Sequence, residues 1–136
     1  MNTFSERLRS HLAQTPERAA VTLQIAGQPD LPISYSRLMC GAQGFADALH
    51  NEGVASGEVV LLILRHGEEL LYSYFGCVIH GAIPSVMSFL TEKLSPERYR
   101  ADLATLISVT RPAAIVTYAE FADEVRAVVG DSSVRA

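Results

Sequence analysis

Gly57-Glu58-Val59-Val60-Leu61-Leu62-Ile63-Leu64 sets six apolar residues in an unbroken row behind a glycine turn signal. A run of that length has no polar alternation to turn toward water, so it reads as a strand buried on both faces, as in a parallel sheet. Working outward from it, Glu68 and Glu69 favour a helix start, and Leu70, Leu71, Tyr74, Phe75 and Val78 supply an expected buried stripe as far as His80-Gly81. Ala82 to Met87 reads as a second strand, with Pro84 tolerated near its start or at a sheet edge. Ser95-Pro96-Glu97 opens another helix, with Ser95 as cap and Tyr99, Leu103, Leu106 and Ile107 facing inward. Ala113 to Tyr118 is a third strand, and Phe121, Val125 and Val128 mark a last helix before Gly130, with Asp131-Ser132-Ser133 as a frayed end.

Before this block, Thr3-Phe4-Ser5-Glu6 has capping-box spacing and opens a helix over residues 4–14. Val21, Leu23 and Ile25 alternate with Thr22 and Gln24, and Leu31 to Tyr35 returns after Gly27, which predicts an antiparallel hairpin. Leu38, Ala42, Phe45 and Leu49 give a helix from Ser36 to Asn51, stopped by Gly53. Gly41 and Gly44 sit inside that pattern, where small residues allow close packing. The expected fold is α/β: a mostly parallel sheet with flanking helices and an N-terminal β-hairpin, residues 1–136 forming one subdomain.

The chain has 136 residues, 49% of them hydrophobic and 19% charged, a composition that supports a packed core. Its net charge is −4, with Lys and Arg scattered from Arg7 to Arg135, which excludes a nucleic-acid partner. The uncharged stretch from Leu70 to Thr91 is long enough for a membrane span, but its serines, glycines, His80 and Pro84 divide it into helix, turn and strand. Two cysteines, Cys40 and Cys77, make no disulfide framework, and a reduced, cytoplasmic setting is expected.

The chemistry-bearing residues are few. There is no phosphate-cradling glycine motif, and the single lysine, Lys93, follows Thr91-Glu92. Cys77 and His80 stand three apart on one helix, but no second Cys/His pair exists at metal-ligand spacing, so no metal site is expected; Cys77 reads as a small buried hydrophobe and His80 as a partner for the last helix carbonyls. Glu68 and Glu69 are adjacent, point different ways and read as a solvated helix start. Arg65-His66-Gly67 directly follows the buried strand, where ligands of parallel sheets gather, so His66 and Gly67, beside Arg65, are the expected substrate contacts, against the alternative of a solvated loop.

Several stretches carry a family resemblance. Thr15-Pro16-Glu17-Arg18-Ala19-Ala20-Val21 resembles the opening of the adenylate-forming enzymes: acyl-CoA synthetases, fatty acyl-AMP ligases and nonribosomal peptide adenylation domains. Ile33-Ser34-Tyr35-Ser36-Arg37-Leu38 is similar to their first core motif. Gly53-Val54 with Gly57-Glu58-Val59-Val60 follows their next step, with Glu58 where Asp is usual. Tyr74 through Pro84 resembles their second core motif, with Pro84 one residue early or shifted by the strand, and Met87-Ser88-Phe89 departs from their proline-rich loop. The similarity runs from Thr15 to Tyr118, and Phe75-Gly76-Cys77 with Gly81-Ala82-Ile83 leans toward the fatty acyl-AMP ligases and long-chain acyl-CoA synthetases, hence toward fatty acid metabolism.

The resemblance implies a parent reaction of carboxylate and ATP to acyl-adenylate and pyrophosphate, then transfer to a thiol such as coenzyme A or a carrier protein, with ATP and magnesium as cofactors. The family's phosphate loop, nucleotide motifs and catalytic lysine have no counterpart here, so no catalytic residue carries over and no cofactor is expected on this piece. The expectation is a scaffold fragment, inactive alone, ending in an exposed loop, whose partner is the remainder of the same polypeptide and which self-associates without it. The alternative is a stand-alone, non-enzymatic docking or regulatory α/β module.

Overall fold

In a computed structural model, which describes residues 3–130, the apolar run becomes the middle strand of a three-stranded parallel sheet. The elements are α1 (Phe4–Gln14), β1 (Ala19–Leu23), β2 (Leu31–Ser34), α2 (Tyr35–Asn51), β3 (Val59–Ile63), α3 (Glu68–His80), β4 (Ile83–Val86), α4 (Pro96–Thr110), β5 (Ala114–Thr117) and α5 (Ala122–Val129), with a 3-10 turn over Ala119–Phe121. Strand order is β4-β3-β5, and β1 and β2 form a separate antiparallel hairpin turned at Gly27, whose φ of 75° suits glycine. The expected frayed end lies outside the described residues.

The double burial of β3 has a direct cause in the layers above and below it. Val60 and Leu62 face α2 and α3 with Leu49, Cys77 and Ala114, whereas Leu61 and Ile63 face α4 and α5 with Tyr99, Leu103, Ile115, Phe121 and Val125. Pro84 sits on an edge strand, as expected. The amides of Ile83 and Met87 donate to the Glu58 and Leu62 carbonyls, so alternation points the nitrogen of Pro84 away from β3, where no donor is needed.

Helix ends follow their caps. Thr3 and Glu6 close a reciprocal capping box, Ser34 accepts from the Arg37 amide, and Ser95 accepts from the Arg98 amide ahead of Pro96. Because Ser34 is the cap, α2 begins at Tyr35 and not at Ser36.

The stripe expected on α3 is corrected. Its buried residues are Ser73, Gly76 and Cys77, while Leu70, Leu71, Phe75 and Val78 are half-buried and Tyr74 is exposed. Close approach to α2 selects small side chains: a Cβ on Gly76 would lie 2.6 Å from the Phe45 Cβ and 2.8 Å from the Ala42 carbonyl oxygen. Gly41 does the same beneath the Tyr72 ring, 2.5 Å from a would-be Cβ, whereas Gly44 faces open space and takes no part in this packing. His80 is also corrected: its Nε2 lies 2.6 Å from the Val54 carbonyl oxygen and so ties α3 to the loop before β3, not to its own last turn.

Candidate functional site at the carboxyl ends of β3 and β4

Because β3 and β4 run parallel with Leu62 opposite Val86, the chain leaves both strands at the same level. The two exits diverge into Leu64-Arg65-His66 on one side and Val86 through Glu92 on the other, enclosing an open cleft of about 630 Å³. This is the place where a parallel sheet offers space, between loops that have just left the hydrogen-bonded ladder.

Two aromatic contacts fix Arg65 at the cleft wall. Its guanidinium carbon lies 4.6 Å from the Phe89 ring centre and 5.3 Å from that of Tyr118, and its backbone amide donates to the Tyr118 hydroxyl at 3.2 Å. The ion pair with Glu120, at 3.8 Å between exposed groups, adds little. The opposite wall is anchored from below: Tyr99 donates its hydroxyl hydrogen to the Ser88 carbonyl at 2.8 Å, and burial pushes its phenol up to about 12. Phe89 packs on Tyr118 and on Phe121, with ring centres 5.5 and 4.9 Å away.

The expected contacts fall at different depths. His66 is exposed and lines the cleft; Gly67 caps α3 one residue further on, and a Cβ there would meet nothing within 4 Å, so its backbone borders open space. Reading the sequence missed Phe89 and Tyr118, which stand 24 and 53 positions from Arg65. The available signal was an aromatic residue in the segment leaving β4, at the same sheet end as His66.

The cleft does not fit a triphosphate by itself. Glu68 and Glu69 occupy the first turn of α3, where an anion would need positive potential, and the preceding loop holds one glycine. Glu68 is engaged: it pairs with Arg37 and accepts from the Tyr72 hydroxyl at 2.6 Å. Among the described residues, no group of three or more His, Cys, Asp or Glu stands together to hold a metal ion. Cys77 offers no nucleophile, since burial raises its thiol to about 11. No described helix is long and apolar enough to cross a membrane.

The AMP-binding enzyme family matches residues 8–135, nearly the entire sequence. The chain belongs to this family. Among curated proteins, this AMP-binding family chain is 33% identical over 85 residues to a p-hydroxybenzoic acid–AMP ligase of Mycobacterium tuberculosis, which covers 62% of the chain and 11% of that ligase. Among solved structures, a fatty acid AMP ligase from Legionella pneumophila superposes with a TM-score of 0.75 at 19% identity, over 88% of this chain and 20% of that one. The adenylation domain of a keto acid-selecting nonribosomal peptide synthetase module gives 0.78 at 17% identity, over 99% and 24%. The structural likenesses establish the fold, and the chain spans only 11% to 24% of these relatives.

Proposed function

We propose that this chain is the leading scaffold portion of an ATP-dependent acyl-activating ligase, which converts a carboxylate and ATP to an acyl-adenylate and pyrophosphate and then passes the acyl group to a thiol. The observation that carries the reading is the cleft at the carboxyl ends of β3 and β4, in a chain of the AMP-binding family that supplies no phosphate cradle. Its apolar lining by Leu64, Val86, Met87 and Phe89 suits one wall of a site for the carboxylate's organic part, with His66 at its rim and Gly67 the next residue along the chain. ATP and magnesium, in this reading, are held by the remaining polypeptide, and the isolated chain catalyses nothing and self-associates. The fatty acyl branch is the preferred substrate class.

The test is carboxylate-dependent ATP–pyrophosphate exchange, run on the native polypeptide and on the 136-residue chain. Exchange by the first and none by the second is expected; exchange by the short chain alone would sink the scaffold reading. In the native polypeptide, His66→Ala is expected to raise KM for the carboxylate about 2- to 12-fold with little change in KM for ATP, the effect of one net hydrogen bond of about 0.5–1.5 kcal/mol. An unchanged KM would remove His66 from the site.

A further inference from the structure

Strand order β4-β3-β5 gives the chain leaving β3 access to the exits of both neighbouring strands, and Arg65 reaches both. Its amide donates to the hydroxyl of Tyr118, just past β5, which fixes its backbone. Its guanidinium carbon stands 4.6 Å from the ring centre of Phe89, past β4, and 5.3 Å from that of Tyr118, both within the range of a cation–π contact. Glu120, 3.8 Å away among exposed side chains, competes weakly for the charge.

The contact matters more to Phe89 than to Arg65. The segment leaving β4 is fixed at Met87, whose amide donates to the Leu62 carbonyl, and at Ser88, whose carbonyl accepts from Tyr99. The next residue, Phe89, is half-buried; its ring packs on Tyr118 and Phe121, lies under the Arg65 guanidinium and lines the cleft. An aromatic side chain turns about two torsions, and a half-buried ring is held in one orientation only by its contacts. Without the guanidinium, the ring is free to swing toward the open cleft beside it.

We infer that Arg65 is a positioning residue for the organic part of the carboxylate: it clamps Phe89 against Tyr118 and so sets the shape of the cleft wall, without touching the substrate itself. This rests on the reading of the cleft as part of an acyl-activating site. The consequence is selective by size. A carboxylate long enough to lie along Phe89 depends on the clamp, and a short one does not.

Kinetics and amide hydrogen exchange on the native polypeptide test it, with hexanoate and dodecanoate as the carboxylates. Arg65→Met is expected to raise KM for dodecanoate about 3- to 30-fold, the upper end being the loss of two exposed cation–π contacts, with KM for hexanoate and for ATP changed less than about twofold. Amides of residues 89–93 are expected to exchange at least about threefold faster in that variant. Added to Phe89→Leu, Arg65→Met should raise KM by less than about twofold more, because the ring it positions is gone. A fully additive effect overturns the inference, since Arg65 then acts on the substrate directly. Faster exchange with unchanged dodecanoate KM also overturns it, leaving a purely structural contact, and either result leaves the ligase reading standing. A wild-type polypeptide that turns over neither acid removes the fatty acyl reading and this inference together.

Discussion

Cys77 and Cys40 show how far burial separates two identical side chains. Cys40 is exposed on α2, while Cys77 is 1% exposed beneath the sheet with its thiol raised to about 11. A thiol reagent at pH 8 is expected to label one cysteine quickly, at Cys40, and the second only after denaturation; two fast thiols would contradict the packing of α3. The same burial predicts alkaline lability. Cys77 and Tyr99 both hold their protons more tightly when folded, so their stabilisation is intact below their unfolded values of 9.0 and 10.0. It is lost as pH rises toward about 11 for Cys77 and about 12 for Tyr99, costing about 2–3 kcal/mol for each group. Denaturant titrations from pH 8 to 11 check this, and Cys77→Ala should flatten the part between pH 9 and 11. At this scale the sequence was a good guide to Cys77 as a buried hydrophobe and a poor one to His80, whose partner, Val54, lies 26 positions away.

At the scale of elements, α2 and α3 meet through glycine. Gly76→Ala is expected to destabilise by about 1–3 kcal/mol, because the new Cβ meets the Phe45 Cβ and the Ala42 carbonyl of a neighbouring helix that cannot yield separately. Gly44→Ala, with open space around its Cβ, should stabilise by about 0.5–1 kcal/mol through helix propensity alone. Urea midpoints of the two variants must therefore move in opposite directions; a shared direction would place the α2–α3 contact elsewhere. Strands and helices were legible because each carries its own period and caps, as Thr3-x-x-Glu6 and Ser95-Pro96 do. The buried face of α3 was not, since Leu70, Tyr74 and Phe75 outweigh Ser73 and Gly76 in hydrophobicity, while the helix-helix distance is decided by size. The cleft was half legible: the strand-end rule leads to Arg65 and His66, but Phe89 and Tyr118 reach Arg65 only through the parallel crossovers.

For the whole molecule, we propose that the well-packed sheet and its one cleft wall belong to a larger acyl-activating ligase. The resemblance of Thr15–Val21 and Tyr74–Pro84 to the adenylate-forming enzymes pointed to the family, and the match over residues 8–135 establishes it. The measurement that bears on the claim most directly is the mass of the native polypeptide in its source cells, read with an antibody raised against this chain. The account predicts a species several times heavier than 14.8 kDa. A native species of 14.8 kDa would contradict it and leave the cleft without the rest of its site.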